Sequence, residues 1–348
     1  MKVAILADTH AGVRNNSPVF MRHQLKFFED TFFPYVEEHQ IECLLHLGDV
    51  FDRRKDTNNY AIYEWDKRVF SRWGDLFKRC HIIIGNHDTY FKNTNSVNTP
   101  EKFLSHYRNF TFYSYPVEID FYGVPTLVLP WICEENEGDA RRLLEESEAE
   151  LVLGHLEIIG CPMFRGIENV DKGFEQSIFC KARQVFSGHF HLKSTQKNIE
   201  YLGAPFATMW AEAFDRRGFH VYDTDSRKLT FIENPHNPFV MIEYSDKSPL
   251  ELPDVEDKIV RVLVKSKSSE SDFLEFVENV ERGGPAEVQV TEQQAVSTFE
   301  GTVDEGLDMF SLIDLYVDGL SVDSSKSELK SVLRELYQEA IHLHDISE

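Results

Sequence analysis

Val3-Ala4-Ile5-Leu6-Ala7-Asp8-Thr9-His10 decides how the rest of the chain reads. Its unbroken apolar run has the composition of a strand buried on both faces, and it ends on an acid and a histidine. The same grammar recurs four times. Cys43-Leu44-Leu45-His46-Leu47 runs into Gly48-Asp49, and His81-Ile82-Ile83-Ile84 into Gly85-Asn86-His87-Asp88. Leu151-Val152-Leu153 runs into Gly154-His155, and Gln184-Val185-Phe186-Ser187 into Gly188-His189-Phe190-His191. Any one block is weak evidence, because an Asp-x-His or a Gly-His after a strand is commonly an ordinary loop. Glycine at the turn lets the chain bend sharply, so that the next side chains point over the sheet edge. All five in order, each after a β-rich run, describe N and O donors gathered where strand ends fan onto one edge. Two metal ions that share a carboxylate need such a set.

Around these blocks, residues 1–222 alternate strands with helices, the pattern of a layered α/β unit. Ser17-Pro18 opens a helix, proline being suited to the first turn, with Leu25, Phe28, Phe32 and Val36 on one face. A second helix over 58–78 carries Ile62, Trp65, Val69, Trp73 and Leu76 at helical spacing, which reads first as core packing. His46 and His81 lie inside strand runs and read as core. Beyond Phe239 the pattern changes. A β-branched run at 258–265, a helix at Glu270–Arg282 closed by Gly283-Gly284-Pro285, and a strand at 286–291 make a small β-α-β module. The division expected is 1–239 for the metal-bearing domain, 240–292 for this module, 293–303 for a polar linker and 304–348 for a helical tail. The two tail helices, 304–318 and 324–344, carry apolar faces that include Leu312, Ile313, Leu329, Leu333 and Leu336.

Composition is that of a globular protein: of 348 residues, 42% are hydrophobic and 27% charged. No apolar run reaches the ~18 residues of a membrane span, and Asp8 interrupts the first run too early for a signal peptide. Five cysteines with no C-x-x-C spacing fit free thiols in a reducing cytoplasm. The net charge of −23 is unevenly spread, with −7 over 1–240 and −16 over 241–348. Residues 51–110 carry eleven Lys/Arg against seven Asp/Glu. The acid thus lies away from the donor-rich half. No strong basic footprint exists, so any affinity of this chain alone for nucleic acid is expected to be modest.

The five blocks resemble the calcineurin-like metallophosphoesterase superfamily. Pro130-Trp131-Ile132-Cys133-Glu134-Glu135-Asn136, Tyr201-Leu202-Gly203-Ala204-Pro205 and Arg217-Gly218-Phe219 look like its SbcD (Mre-eleven-like) branch, nearest to the T-even phage recombination nucleases. The likeness is clear to about residue 225 and looser beyond. It implies an α/β fold: a metallophosphoesterase β-sandwich flanked by helices, a small capping domain for DNA recognition, and a C-terminal helical hairpin.

Matched residue by residue, the resemblance assigns Asp8, His10, Asp49 and His191 to one metal, and Asp49, Asn86, His155 and His189 to a second. Asp49 is then the bridge. Mn²⁺ suits such N/O donors, with Mg²⁺, Fe²⁺ or Zn²⁺ as alternatives. His87 follows a ligand without being one; it is expected to stabilise the transition state or protonate the leaving oxygen, with Asp88 orienting its ring. Relatives carry either His or Asp at the position of Asp52, whose role the resemblance leaves open. Tyr90-Phe91 is suited to stacking on an unpaired base or to ordinary packing. The activity implied is a DNA nuclease subunit, a 3′–5′ exonuclease on duplex ends and an endonuclease on single strands. Its implied partners are DNA, an SbcC-like (Rad-fifty-like) ABC ATPase docked on the tail, and a second copy through helices near 58–78. The alternatives are a phosphatase, which the likeness of Gly48-Asp49-Val50-Phe51-Asp52-Arg53 to the phosphoprotein phosphatase block suggests, and an inactive scaffold for the ATPase.

Overall fold

The computed structural model describes residues 1–56, 58–170, 172–246 and 252–292, with single positions at 317, 326 and 330. The chain divides into two compact units. The first comprises Met1–Val240, Leu252–Val260 and Asn279–Val288; the second comprises Met241–Glu251, Arg261–Glu278 and Gln289–Glu348.

Two six-stranded sheets make the frame of the first unit. In chain order the strands are β1 (Lys2–Leu6), β2 (Cys43–His46), β3 (Arg79–Ile83), β4 (Phe110–Tyr113), β5 (Val117–Asp120), β6 (Pro125–Leu129), β7 (Leu151–His155), β8 (Pro162–Phe164), β9 (Ile167–Glu168), β10 (Gln184–Gly188), β11 (Ser194–Gln196), β12 (Ile199–Tyr201), β13 (Gly218–Asp223) and β14 (Lys228–Glu233). One sheet runs β14-β13-β1-β2-β3-β4 and the other β11-β12-β10-β7-β6-β5, while β8 and β9 form a separate hairpin. β1 to β4 are parallel, as are β6, β7, β10 and β12. Parallel neighbours end on the same edge, which is why the residues after β1, β2 and β3 emerge side by side.

The alternation of side chains along a strand sorts the core into layers. Val3, Ile5 and Ala7 join Leu45, Leu47, Leu151, Leu153 and Phe186 between the sheets. Ala4 and Leu6 point the other way, into a cluster with Leu25, Phe28, Phe32, Trp65, Val69 and Trp73 of the covering helices. Val152, Val185, Ala140 and Leu144 make the matching layer outside the second sheet. Both sheets are therefore covered, and a continuous apolar run is what such strands need.

The first helix starts at Pro18, and Leu25, Phe28, Phe32 and Val36 are all buried. It widens into a π turn at Phe28–Phe32 before continuing through Phe33–Glu38. Pro34 has no N–H to donate to the preceding turn, which accounts for a widening at that point. The second helix is capped by the Asn58 side chain, which accepts the N–H of Tyr60 at 2.9 Å and of Ala61 at 3.2 Å. Trp65, Val69 and Trp73 are fully buried, and Ile62 and Leu76 are partly buried against the same cluster, so the stripe packs into the core. Tyr60 and Tyr63 are the large side chains that this helix exposes.

Past Phe239 come β15 (Phe239–Tyr244), β16 (Ile259–Val264), the helix Glu270–Arg282 and β17 (Glu287–Glu292). The sheet order is β15-β16-β17. The sequence pattern missed β15, so the module has one strand more than expected. In the second unit Tyr244 packs on Phe273 and Phe276, with ring centroids 5.0 and 4.8 Å apart. The expected linker and tail helices lie outside the described residues.

Candidate metal centre

The loop after β1 is laced to the loop after β2 by main-chain bonds. Asp8 N–H donates to Gly48 C=O at 3.0 Å, His10 N–H to Asp49 C=O at 3.0 Å, and Ala11 N–H to Val50 C=O at 2.8 Å. The backbone of these loops and of the loop after β10 is strained: Asp8, His10, Asp49 and His189 all hold positive φ, an uncommon state for residues with a Cβ. Glycine makes room for the packing. A Cβ on Gly85 would collide with the carboxylate and N–H of Asp49, and one on Gly48 would strike the ring of His155.

All seven expected donors are brought together. Nε2 of His10 faces Nε2 of His191 at 3.0 Å and lies 3.7 Å from Asp49 Oδ2. Asp8, His10 and His191 form one tight donor group, and Asp49, His155 and His189 another. Asn86 Oδ1 faces His155 Nε2 at 2.9 Å and His189 Nδ1 at 3.0 Å. Asp49 stands between the groups, with Oδ2 3.3 Å from His155 Nε2. Its Oδ1 accepts the His87 N–H at 2.8 Å. Asp8 accepts the main-chain N–H of His189 at 2.9 Å, which ties the β1 and β10 loops together.

Whether a cation fits is decided by the outward nitrogens. His155 Nδ1 donates to the Leu47 carbonyl at 2.8 Å, which can only accept. In the neutral ring Nε2 is then bare, and it points at Asn86 Oδ1 and an Asp49 oxygen. His191 Nδ1 donates to Glu212 at 2.8 Å, and His189 Nε2 to Glu157 at 3.3 Å. Each of these three rings is thus fixed in the tautomer that turns a lone pair inward. Such a convergence of acceptors calls for positive charge, and the residues present fit divalent ions. The ionisation of the site agrees. Burial pushes the His155 ring down, but the charge and hydrogen bond of Asp49, then Asp8, outweigh it and hold it up at about 9. Burial pushes the Glu212 carboxyl up, yet its bond to and charge attraction with His191, then Arg217, hold it at about 2.

His87 and Asp88, the pair expected to act in catalysis, are arranged differently from the expectation. His87 Nδ1 donates to the main-chain carbonyl of Asp52 at 2.6 Å, and its ring meets His10 edge-on at 4.8 Å between centroids. Asp88 does not orient that ring. Its carboxylate accepts three main-chain N–H groups instead, from Asp49 at 2.9 Å, Gly85 at 3.0 Å and Phe51 at 3.1 Å. It pins the β2 and β3 loops to each other, and burial, then the charge of Asp49, raises its carboxyl to about 7. Asp52 lies beside His10, 3.5 Å from Nδ1. Sequence reading missed Glu157 and Glu212 altogether: Glu157 stands three residues past the strand-end Gly154, the place His191 holds after Gly188, whereas Glu212 follows no such glycine, and each reaches its histidine from a different segment of chain.

The calcineurin-like phosphoesterase family model matches residues 1–193. Exonuclease subunit 1 of Enterobacteria phage T4 is 27% identical over 349 aligned positions, covering 98% of this chain and 99% of that protein. Among solved structures, a novel archaeal phosphodiesterase superposes with a TM-score of 0.33 at 11% identity, over 67% of this chain and 99% of that one. A protein of unknown function from Aquifex aeolicus gives 0.26 at 16% identity, over 44% and 77%.

Proposed function

The chain belongs to the calcineurin-like phosphoesterase family, and from that premise we propose that it is the nuclease subunit of a two-component, SbcC–SbcD-like complex that processes DNA ends. It is a divalent-metal phosphodiesterase, with Mn²⁺ the best match to its donors. The observation that carries this reading is the convergence of Asp8, His10, Asp49, Asn86, His155, His189 and His191, with outward ring nitrogens already committed to Leu47, Glu157 and Glu212. Asp8, His10, Asp49 and His191 would hold one ion, and Asp49, Asn86, His155 and His189 the other. When bound, such a pair supplies an activated water and offsets charge on the phosphoryl oxygens.

The protein's own groups do the rest. Because the Asp52 carbonyl holds the Nδ1 proton of His87, Nε2 is the nitrogen left to carry a proton to the departing sugar oxygen. Its main-chain N–H, committed to Asp49, keeps this donor in register with the bridge. Asp88 holds both loops in place through three N–H groups.

DNA as substrate is supported by the phage relative and by the surface beside His87. Tyr90 and Phe91 are exposed and meet edge to face at 4.8 Å. A cleft of about 520 Å³ next to Tyr90 is lined by Arg54, Lys55, Lys102 and Phe103, with Glu101 the one acid in its lining. Stacking rings among cations suit an unpaired strand. A second copy would use the exposed Tyr60 and Tyr63, and the ATPase the tail at 304–348.

The test is purified protein with Mn²⁺ or Mg²⁺ on labelled duplex DNA, single-stranded DNA and a small phosphomonoester. Metal-dependent cutting of DNA is expected. Turnover of the monoester alone makes the chain a phosphatase, and no turnover with metals bound makes it a scaffold. Deleting 304–348 is expected to leave cutting intact and to abolish co-purification with the ATPase; unchanged co-purification removes the docking role.

A further inference from the structure

Glu212 is an acid with 1% of its surface exposed, at the end of the short turn Trp210–Glu212. Its two oxygens have separate tasks. Oε1 accepts His191 Nδ1–H at 2.8 Å. Oε2 accepts the Thr208 N–H at 2.7 Å and the Thr208 hydroxyl at 3.0 Å. Arg217, also buried, donates to the His191 carbonyl and to Asp215 Oδ2 at 3.0 Å. His191 is thus fixed at both ends, its ring by a carboxylate and its backbone by a guanidinium.

A carboxylate is an expensive way merely to aim a ring, because burying its charge is costly unless it is well compensated. The Leu47 carbonyl aims His155 without any charge. What Glu212 adds is a fixed negative charge on the far side of the imidazole, which makes the inward nitrogen a stronger donor. Glu157 could do the same for His189, but its side chain is 27% exposed and the contact is 3.3 Å. We propose that Glu212 is a positioning residue for the metal side formed by Asp8, His10 and His191, fixing the His191 tautomer and strengthening that side's hold on its ion. The proposal rests on the two-metal reading of the site.

The experiment titrates Mn²⁺ into the full-length parent, Glu212→Gln, Glu212→Ala and Thr208→Val by calorimetry and electron paramagnetic resonance. Melting in chelator and DNA cleavage are measured alongside. The parent is expected to bind two ions. In Glu212→Gln an amide oxygen still accepts from Nδ1, so one ion is expected to weaken about tenfold and the other not at all. Glu212→Ala removes the acceptor, and that same ion should weaken about a hundredfold or be lost. Thr208→Val loosens the turn without touching the His191 bond, and its metal affinities should stay within about threefold, less than the outer-shell effect. Two ions bound at parental affinity by Glu212→Ala, with only the melting temperature lowered, would make Glu212 a structural residue and overturn the proposal. Equal weakening of both ions overturns it too. If Glu212→Ala does not fold, Glu212→Gln decides alone by the same criteria. A parent that binds no divalent ion removes the two-metal reading itself, a result distinct from either failure of Glu212.

Discussion

Histidines of the donor cluster and histidines that pack in the core are both largely removed from water, yet they are wired in opposite ways. His155, the last residue of β7, and His191, past the end of β10, have carboxylates within reach, and both rings are held above the usual histidine range against the downward push of burial. His46, the last residue of β2, and His81 and His220, within β3 and β13, meet only hydroxyls and rings. His46 Nε2 bonds the Thr9 hydroxyl at 3.0 Å. His81 bridges Tyr113 and Tyr122 at 2.8 and 3.1 Å. His220 packs on Phe231 with centroids 5.1 Å apart. Burial pushes these three down to about 3, 4 and 3. His10 is the strand-end exception, lowered by burial and then by the neighbouring His87. Burial alone does not mark the histidines of the donor cluster; the acids beside them do.

The contrast breaks most completely at Asp49, the carboxylate proposed to bridge the two donor groups. Asp49→Ala removes the one carboxylate between His10 and His155, and both ions are expected to be lost. Cleavage should fall at least about a thousandfold, the scale of losing an electrostatic catalytic element. Elemental analysis of the variant decides it: two retained metals mean that Asp49 is no bridge.

A second break separates proton transfer from metal holding. His87→Gln is expected to keep both ions and DNA affinity while turnover drops by about 10²–10⁴, the range of general acid–base catalysis. A nitrophenyl phosphodiester leaves without needing the proton and should lose less. Equal loss on both substrates assigns His87 a positional or electrostatic role. Loss of an ion makes it a ligand.

These strand-end residues were legible in the sequence because the fold itself writes them there. A doubly covered parallel sheet needs unbroken apolar runs, so the first polar residues after each run fall on one edge, and glycine marks the turn. The helix faces were legible for the same reason: the periodicity of Leu25, Phe28, Phe32 and Val36 is the imprint of the core they fill. What could not be read depends on contacts distant in sequence. Glu212 is 21 residues from His191 and Glu157 is 32 from His189. No periodicity links either pair. The role expected of Asp88 went wrong because adjacency in sequence suggested a side-chain partner, whereas a tight turn sends neighbouring side chains apart and offers main-chain N–H groups instead. β15 was missed because only Phe239, Ile242 and Tyr244 of its six residues are buried, unlike the continuous apolar runs of β1 and β2.

A milder test grades the outer acids. Glu157 is the half-exposed counterpart of Glu212, and water can replace part of its bond to His189. Glu157→Gln is expected to weaken one ion by less than about tenfold, the low end of outer-shell effects. The affected ion should be the one that Glu212→Gln leaves alone, so the double variant should weaken both. If calorimetry shows the same ion weakened in both single variants, the two histidines do not serve separate ions.

The smallest expected effect belongs to the interior histidines, and it appears as pH dependence of stability. An unfolded histidine takes up its proton near pH 6.5, whereas His81 is held down to about 4 by burial and then by Arg79. Between those values the unfolded chain binds a proton that the folded chain refuses, so stability falls as pH drops through the window and is unaffected above it. His81→Gln is a fair probe, since an amide can accept from one tyrosine and donate to the other but cannot titrate. Denaturant midpoints for parent and variant, taken in chelator at pH 7.5 and pH 5, isolate the term, because the metal-site histidines contribute equally to both proteins and cancel. The variant should lose less stability on acidification, by about 1–2 kcal/mol, as one proton's linkage over that span allows. Its cleavage activity at pH 7.5 should match the parent, His81 being committed to Tyr113 and Tyr122 and to none of the donors. Parallel pH profiles would mean that His81 is protonated in the folded chain after all. The line between the two histidine populations would then run through burial rather than through the acids.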